Sequence, residues 1–379
     1  MDISNKHVVI ATHYLVYGAP QALRDYFLLK KIKRLLFIAH PLKVDNTNSY
    51  REVIEEGRVV QKKESRIRTY ISIFNYFIES FLTVFWVFQE KNTVDIFFGV
   101  DPLNAAVGIL LKKLGKVKKV TYYTIDFVPN RFGNQLLNNM YQGIDAFCLR
   151  NADETWNVSP RIAEGREKLR GLRRKDYPLQ KVVPIGVWFD KVKRLPFAKI
   201  KKHQLLFVGH LLEKQGVQLV LEAMPEILKK IPDFHFLIVG GGEYEESLKS
   251  KIKSLKLQGH VTFTGWIKDR AKLDTIMADS ALAIAMYDKT KDTFTYYADP
   301  TKLKDYLSAG LPILLTDVPF NAQDIQKASC GIIVQYDSKI LAKAIIKVLQ
   351  DEKTLHTYRN NAITYIQKFD WEKIFDRAF

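Results

Sequence analysis

The chain alternates apolar runs of strand length with amphipathic helical patterns through most of its 379 residues. This alternation predicts βαβ units, because a helix connects each pair of parallel strands in such folds. The chain also exceeds the length that one hydrophobic core usually supports, so we expect two domains of the α/β class, each a Rossmann-like doubly wound sheet. The predicted strands are 7–11, 35–39, 94–98, 119–123 and 155–158 in the first half, and 205–208, 235–239, 261–264, 282–285, 313–315 and 331–334 in the second.

Residues 299–319, DPTKLKDYLSAGLPILLTDVP, join a charged helix to a buried strand through a glycine turn. We expect the helix to start after Asp299, to carry Lys302 and Asp305, and to end at Gly310. This geometry can aim backbone and side-chain donors at a phosphate group. An ordinary helix-to-strand connection with solvated lysines explains the same letters equally well.

Positive charge is concentrated in the first half of the chain. The net charge is +17, and residues 1–200 carry 33 Lys and Arg against 19 Asp and Glu, whereas residues 201–379 carry 25 against 22. A one-sided excess indicates that the first half faces an anionic partner, which is a membrane surface, a phosphorylated acceptor or nucleic acid. Scattered, solvated lysines are the alternative explanation.

The cellular location is predicted from the N-terminus, the cysteines and the charge. The N-terminal residues lack the basic region, apolar run and cleavage site of a secretory signal. Cys148 and Cys330 give no disulfide framework and fit a reducing cytoplasm. With the basic first half, these features predict a cytoplasmic protein that is peripheral on the inner face of the plasma membrane.

Residues 71–88, ISIFNYFIESFLTVFWVF, are mostly apolar and about as long as the shortest membrane-spanning helix. However, Asn75, Glu79 and Thr83 recur every four residues and would form one polar stripe along a helix. We interpret the segment as an interior helix with one polar face. A membrane-surface helix is the main alternative, and a true span is the least favoured.

Three glycine loops in the second half are candidate anion sites. Gly209 and Gly216 bound a loop between a strand and a helix, residues 240–242 form a second such loop, and Gly265 ends a strand. Loops of this kind can present amides to an anion at a helix N-terminus. Each loop alone is weak evidence, and their order carries more information.

The segments VGHLLEKQGVQLVLEA, IVGGGEYEESL, VTFTGWI and DPTKLKDYLSAGLPILLTD, in this order, resemble the nucleotide-sugar-binding half of the group 1 family of glycosyltransferases. The resemblance covers residues 184–379 and is weaker in the first half, where Gly18 falls in the family's glycine-containing loop. It implies the GT-B fold, in which two Rossmann-like doubly wound domains face each other across a cleft. The implied regions are an acceptor domain over residues 1–190, a donor domain over 191–365, and a C-terminal helix over 366–379 that crosses back to the first domain.

The resemblance also implies roles for individual residues. Asp305 would accept hydrogen bonds from the ribose hydroxyls of the donor, and Lys302 would offset charge that develops on the departing diphosphate. The backbone near Gly265 and Ile267 would contact the base. The other donor-binding predictions are Gly18, Gly209, His210, Lys214, Gly240, Gly241, Asp299, Ala309 and Gly310, of which Gly209, Gly240, Ala309 and Gly310 would complete a phosphate cradle.

The sequence departs from the family pattern at several of these positions. His210 and Gln215 stand where many members have Arg and Lys, and Lys214 lies one position earlier. Tyr297 stands eight positions before Asp305, where many retaining members have Glu. The stereochemistry of transfer, retaining or inverting, is therefore open.

Asp126 is the leading candidate for a catalytic base, because Ile125 occupies the position where many members have His. An ionised Asp126 could deprotonate the acceptor hydroxyl, as an inverting transfer requires. Alternatively, it caps the turn before Pro129. His13 is a second candidate base, and a core or loop histidine is the alternative for it.

These features predict a glycosyltransferase that moves a sugar from a nucleotide-diphosphate donor to a hydroxyl of a lipid-linked or polysaccharide acceptor at the cytoplasmic membrane face. No Asp-x-Asp pair, His-x-x-x-His pair or Cys cluster is present, so we expect a metal-independent enzyme without a cofactor. The expected partners are a nucleotide sugar, a lipid-linked or glycan acceptor, and an anionic membrane surface contacted through the N-terminal domain. A nucleotide-sugar epimerase of the same fold and a non-enzymatic nucleic-acid or anion-binding protein are the alternatives, although we expect no nucleic acid.

Overall fold

The computed structural model describes residues 3–14, 16–41, 48–67, 72–178, 180–291 and 294–379. The chain divides into two compact units: unit 1 is Met1–Pro184 with Trp371–Phe379, and unit 2 is Ile185–Asp370. We expected the first boundary after residue 190. The earlier boundary agrees with the contacts of Ile185, whose backbone N–H donates to Asp299 of unit 2.

Unit 1 contains a mixed sheet in which most strands are parallel. Its strands are β1 (His7–Tyr14), β2 (Arg34–Pro41), β3 (Ser49–Glu55), β4 (Arg58–Ser65), β5 (Val94–Val100), β6 (Val117–Thr124), β7 (Glu154–Asn157) and β8 (Gln180–Val182). They lie in the order β4-β3-β2-β1-β5-β6-β7-β8, and only the β2–β3 and β3–β4 pairs are antiparallel. All five strands predicted in this half are present, whereas β3, β4 and β8 were not predicted.

The helices of unit 1 before Pro184 are α1 (Ala19–Leu29), α2 (Ser72–Phe88), α3 (Asp101–Lys113), α4 (Gln135–Asn151) and α5 (Pro160–Arg170). The core on one side of the sheet joins Val9 of β1 and Phe97 of β5 to apolar side chains of α2, α3 and α4. Parallel strands buried in this way leave their carboxyl ends at one edge of the sheet.

Helix α2 has its polar stripe buried and an apolar face exposed. Glu79 and Thr83 are buried, whereas Phe77 and Phe81 are exposed to solvent. The interpretation as an interior helix is therefore wrong, because the buried stripe finds hydrogen-bond partners on β1 and β2. Among the described residues, no helix is both long enough and apolar enough to cross a membrane.

Unit 2 contains a parallel sheet whose six strands were all predicted. The strands are β9 (Lys201–Val208), β10 (His235–Val239), β11 (Val261–Phe263), β12 (Ser280–Ala285), β13 (Ile313–Leu315) and β14 (Gly331–Ile333), in the order β11-β10-β9-β12-β13-β14. Counted within the unit, this is the Rossmann order 3-2-1-4-5-6. Ligands of such sheets bind beyond the carboxyl ends of the strands where the order reverses, which here is between β9 and β12.

Helices cover both faces of the second sheet. They are α6 (Val217–Lys230), α7 (Glu245–Ser254), α8 (Arg270–Asp279), α9 (Phe294–Tyr297), α10 (Thr301–Ser308), α11 (Ala322–Lys327), α12 (Ser338–Gln350) and α13 (Glu352–Ile366). Alternate residues of β9 enter the two cores: Leu205 packs with α6 and α12, and Leu206 packs with α10 and α13. This alternation is the two-residue period of a strand buried on both faces.

Helix α14 (Trp371–Ala378) returns to unit 1 and packs against α1, which confirms the predicted crossing of the C-terminal helix. The ring centroids of Tyr26 and Phe375 are 5.2 Å apart. The Tyr26 hydroxyl donates to Asp376 at 2.8 Å, and the ring of the final residue, Phe379, lies 5.4 Å from that of Trp156. Buried aromatic contacts of this kind fasten the end of the chain to the first sheet.

Candidate functional site

The glycine loops of unit 2 meet at the carboxyl edge of its sheet. Gly209 follows β9, Gly240 follows β10, and a Cβ added to Gly240 would lie only 1.9 Å from the carbonyl oxygen of Gly209. Gly240 also has φ +129°, so only glycine fits this contact. The N–H of Gly209 donates to Val239 at 3.0 Å and that of Gly240 to Gly265 at 2.9 Å. These two amides are therefore bonded within the loops, and the role of the two turns in a phosphate cradle stays a prediction.

Lys302, in the first turn of α10, lies beside these loops. Its ammonium group donates to the side-chain oxygen of Gln215 at 2.6 Å. It also lies 4.7 Å from the ring centroid of Phe207 and 5.0 Å from that of Tyr287. Phe207 belongs to β9 and Tyr287 follows β12, so the cation lies where the strand order reverses. A lysine at this position can bind a negatively charged ligand.

Asp305 lies one turn further along α10 and is paired with Arg270. An Nη of Arg270 donates to Asp305 at 2.7 Å, and its Nε donates to Asp274 at 2.7 Å. Burial opposes the charge of Arg270, but the two carboxylates raise its pKa above the usual value. The Arg270–Asp274 spacing on α8 suggests an ion pair from sequence alone, but nothing in the sequence points from Arg270 to Asp305.

Two aromatic rings lie on the second glycine loop. The ring centroids of His210 and Trp266 are 5.8 Å apart, at an angle of 53°. A Cβ at Gly241 would lie 2.9 Å from Trp266 Nε1, and one at Gly242 would lie 2.6 Å from the His210 ring. Trp266 is nevertheless 64% exposed. The pair forms an open aromatic platform, and sequence reasoning did not single out Trp266.

The remaining residues predicted to bind the donor make backbone or core contacts. The carbonyl of Lys214 accepts a hydrogen bond from the N–H of Asp288 at 3.0 Å. Gly265 has φ +65°, and its carbonyl accepts from Gly240. Ile267 packs partly buried against the core, so its backbone is the part suited to ligand contact. Gly18 lies in unit 1, where it precedes α1 and donates its N–H to the Gln21 side chain at 2.9 Å.

Asp299 is placed in the interior rather than at the open edge. Its carboxylate is 3.1 Å from the ammonium group of Lys304, and both side chains are fully buried. It also accepts the N–H of Ile185 at 2.8 Å. Burial raises the pKa of Asp299 and lowers that of Lys304, and each charge opposes the shift of the other. This placement contradicts direct donor binding by Asp299, and the N-cap of α10 is Pro300.

Ala309 and Gly310 lie at the opposite end of α10 from Lys302. Their N–H groups donate to the carbonyls of Asp305 and Leu307, at 3.2 and 3.0 Å, as part of the helix C-terminus. A Cβ at Gly310 would meet Arg359 of α13. Both amides are already bonded and Ala309 is buried, so the expectation that they complete a phosphate cradle is wrong.

In unit 1, His13 lies near the end of β1 with both ring nitrogens occupied. Nε2 is 3.1 Å from a carboxylate oxygen of Glu79, and Nδ1 is 3.1 Å from the side-chain nitrogen of Asn104. That nitrogen also donates to the carbonyl of Val100 at 2.8 Å, which identifies it as a donor. His13 Nδ1 must therefore accept, and Nε2 carries the proton that Glu79 accepts. The geometry contradicts His13 as a general base and supports the alternative of a structural histidine.

His40, on β2, is a second buried histidine that contacts α2. Its two ring nitrogens are 2.9 Å from the Ser49 hydroxyl and 2.8 Å from the Thr83 hydroxyl. Burial and the neighbouring His13 lower the pKa of His40 well below the usual value, so it remains neutral. Glu79 and Thr83 on α2 thus hold two histidines at the carboxyl edge of the first sheet, a role that the sequence pattern did not reveal.

Asp126 follows β6 at the same edge. Burial raises its pKa to about 6, the nearby Asp101 contributes to the rise, and Arg131 opposes it. Asp101, which directly follows β5, has φ +72°, an unusual conformation for a residue with a side chain. Among the described residues, the Asp126 carboxylate accepts no hydrogen bond from the following turn, so a cap is not supported. A carboxylate with this pKa is suited to general-base catalysis near neutral pH.

No group of three His, Cys, Asp or Glu residues within the described ranges is arranged to hold a metal ion. Positive groups at the open edge of unit 2 include the side chains of Lys302 and Arg270. Cationic side chains such as these can bind a phosphorylated ligand directly.

Comparison with known proteins gives one family and several relatives. Residues 190–365 match the family described as glycosyl transferases group 1. The phosphatidyl-myo-inositol mannosyltransferase of Mycobacterium leprae is 25% identical over 198 residues, which are 51% of this chain and 50% of that protein. The chain thus spans about half the length of the curated relatives it matches.

Solved structures resemble almost the whole chain. Sucrose-phosphate synthase from Thermosynechococcus elongatus has a TM-score of 0.72 at 16% identity, with 98% of this chain and 97% of that chain covered. Anabaena HepE in complex with UDP-glucose has a TM-score of 0.70 at 15% identity, with 98% of each chain covered. At these identities the likeness shows the fold alone. Residues 190–365 therefore belong to the group 1 family of glycosyltransferases, and the chain has the GT-B fold.

Proposed function

We propose that this protein is a glycosyltransferase that moves a sugar from a nucleotide-diphosphate donor to a hydroxyl of a lipid-linked or polysaccharide acceptor at the cytoplasmic membrane face. The family match covers the half of the chain that would bind the donor. HepE, a structural relative, was solved with UDP-glucose. The name of the mycobacterial relative identifies a phosphatidyl-myo-inositol mannosyltransferase, which supports a lipid-linked acceptor here.

The placement of Lys302 and Asp305 carries this proposal. They lie one turn apart on α10, and Lys302 is beside Gly209 at the point where the strand order reverses. A cation and a carboxylate at this spacing suit a ligand that has both phosphates and a vicinal diol. Lys302 would contact the diphosphate, and Asp305 would accept from the ribose hydroxyls.

The acceptor chemistry is assigned to the carboxyl edge of unit 1. Asp126 would take the proton of the acceptor hydroxyl while the oxygen forms its bond to the anomeric carbon, and the nucleoside diphosphate would leave with the electrons of the broken bond. Lys302 would offset the charge that develops on the leaving group. We expect transfer to continue in EDTA, and activity that is lost in EDTA and restored by Mg²⁺ or Mn²⁺ would oppose a metal-independent reaction.

The donor proposal is tested by thermal shift with UDP, GDP, ADP and TDP and their sugars. A ligand present at one hundred times its dissociation constant stabilises a protein by about 2.7 kcal/mol. Asp305→Asn is expected to reduce the shift, while Asp233→Asn, an exposed position before β10, serves as the matched control. A flat response of the wild-type protein to all four nucleotides would oppose a nucleotide-sugar transferase.

The transfer itself is tested with the nucleotide sugar that gives the largest shift. Wild-type protein is incubated with that donor and extracted lipid or glycan acceptors, and labelled sugar is followed into the product. NMR of the anomeric proton then distinguishes retention from inversion. Conversion of the donor alone into an epimer, without transfer, would favour an epimerase instead.

A further inference from the structure

The outward face of α2 is a continuous row of phenylalanines. The five rings are spaced by three or four residues, so they share one side of the helix. They are between 46% and 68% exposed, and they are Phe74, Phe77, Phe81, Phe85 and Phe88. Removing one such side chain from water is favourable by about 1.5–3 kcal/mol. Five exposed rings together form an apolar patch of the kind that marks an interaction site, whereas single apolar residues scattered over a surface do not.

An apolar groove of 520 Å³ borders the same helix. Ser80 of α2 lines one side, and Leu110 of α3 with Met140 and Phe147 of α4 line the others. Leu110 and Met140 are themselves about half exposed. We refer to the five phenylalanines as the aromatic face and to this cavity as the α3–α4 groove.

The charge around the groove distinguishes between possible partners. The ammonium group of Lys113, near the end of α3, lies 5.5 Å from the ring centroid of Phe147 in the groove wall. Residues 1–200 as a whole carry 33 basic against 19 acidic residues. An apolar surface with a lysine at its edge, in a basic half of the chain, fits the interface of an anionic bilayer, where rings enter the boundary region and ammonium groups meet the headgroups.

We infer that the aromatic face and the α3–α4 groove together dock this protein on an anionic lipid surface, with α2 lying in the plane of the interface. The inference rests on the proposed function in one respect, because a lipid-linked acceptor would require the enzyme to work at such a surface. With 17 residues, α2 is long enough to lie along an interface.

The same helix connects the docking surface to the candidate site. Glu79 and Thr83, on the opposite side of α2 from the phenylalanines, hold His13 and His40 at the carboxyl edge of the first sheet. The docked helix thus lies beside the carboxyl edge of the first sheet, so docking would bring that edge close to the lipid from which an acceptor headgroup would come.

Docking is tested by flotation with vesicles of phosphatidylcholine and phosphatidylglycerol at a ratio of about 3:1, a composition chosen to give an anionic surface. The wild-type protein is expected to float with these vesicles, and binding should be at least tenfold weaker in Phe77→Ser/Phe81→Ser. Leu255→Ser/Ile340→Ser, a pair of exposed apolar residues on unit 2, is the matched control and should bind like the wild type. Because all four positions are exposed, circular dichroism should show each variant folded.

Three results would overturn the inference. These are failure of the wild-type protein to bind the anionic vesicles, equal binding by the Phe77→Ser/Phe81→Ser variant, and equal binding to vesicles of phosphatidylcholine alone. A dimer seen by light scattering that is lost in the same variant, without vesicle binding, would assign the aromatic face to a second copy of the chain. Flotation needs no nucleotide, so vesicle binding by a protein that fails to bind nucleotides would uphold docking while opposing the proposed transferase.

Discussion

The ammonium group of Lys302 lies 2.6 Å from the amide oxygen of Gln215, so a neutral side chain holds the cation at the open edge of unit 2. Gln215 stands where the family resemblance leads one to expect a second cation. A glutamine satisfies one hydrogen of the ammonium group and leaves its charge intact. We therefore expect the phosphate-binding role that two cations would share to be concentrated in Lys302.

Replacement of Lys302 is expected to weaken binding of a nucleoside diphosphate much more than binding of the matching nucleoside. A hydrogen bond to a charged group contributes about 1.5–3 kcal/mol, so Lys302→Ala should raise the Kd of the diphosphate by about tenfold or more. Calorimetric titration of both ligands measures the difference. Lys229→Ala, near the end of α6, is the matched control, and equal losses for the two ligands would place Lys302 away from the phosphates.

Gln215→Glu extends this test without removing Lys302. A carboxylate at this distance would pair with the ammonium group and offset its charge, so the Kd of the diphosphate should again rise. Tighter binding by Gln215→Glu would show that the charge of Lys302 is not what the ligand recognises.

Trp266 is expected to stack on the base of the nucleotide. Its ring is open to solvent yet supported from below by the second glycine loop, and stacking of a base on an aromatic ring contributes about 1–3 kcal/mol. Trp266→Ala should raise the Kd by about fivefold or more, and Trp266→Phe should retain most of the affinity. Nucleotide should quench the fluorescence of the wild-type protein, and quenching that persists unchanged in Trp266→Phe would exclude a stack at this ring.

Local patterns predicted the strands well and the long-range partners poorly. Every strand of unit 2 was predicted because each is a short apolar run between turn residues. The β3–β4 hairpin was not predicted because its strands are charged. Its turn does contain a glycine, Gly57, and both Glu56 and Gly57 have positive φ, as a two-residue hairpin loop requires.

Helix α2 and the end of α10 show why part of the site was beyond sequence reasoning. The four-residue spacing on α2 predicts a polar face of an interior helix, but this stripe is buried because His13 and His40 supply partners from distant strands. The amides of Ala309 and Gly310 resemble free donors in a glycine turn, but they close the helix. Periodicity shows which residues share a face, and it does not show what that face contacts.

Asp126 is expected to set the acid limb of the pH–rate profile. Its pKa is raised to about 6, and only the ionised carboxylate can accept a proton, so activity should fall as the pH drops through 6. Asp126→Asn should lose most activity at every pH and lose this limb. The control Asp176→Asn, on the surface of unit 1, should keep both its activity and the acid limb. Full activity of Asp126→Asn would exclude the base assignment.

The same pKa predicts an effect on stability with a definite sign. Because burial raises the pKa above the usual value of 3.8, the Asp126 carboxyl group destabilises the folded state progressively between pH 3.8 and 6, and the full cost is present above pH 6. Asp126→Asn should therefore raise the free energy of unfolding by about 2–3 kcal/mol at pH 8, a difference that shrinks as the pH falls toward 4. Denaturant titrations at the two pH values measure it. A variant less stable than the wild type at pH 8 would mean that the carboxylate has a stabilising partner.

Removing one partner of the buried pair of Asp299 and Lys304 is expected to destabilise unit 2 strongly. Lys304→Met would leave a carboxylate without its counter-charge in the interior, and breaking a buried pair in this way costs about 3–5 kcal/mol. The double variant Asp299→Asn/Lys304→Met should recover most of this loss, because a neutral amide can still accept the N–H of Ile185. Denaturant unfolding of the wild type, both single variants and the double variant gives the coupling energy of the pair.

The double variant also separates a structural role of Asp299 from a donor-binding role. If the carboxylate serves only the interior pair, a stable Asp299→Asn/Lys304→Met protein retains Lys302 and Asp305 on the same helix, and its Kd for the nucleoside diphosphate should match that of the wild type. A large rise in that Kd, in a variant whose stability is restored, would mean that Asp299 reaches the donor. Titration of the double variant beside Lys302→Ala makes this comparison, since only the lysine at the open edge should be required for the diphosphate.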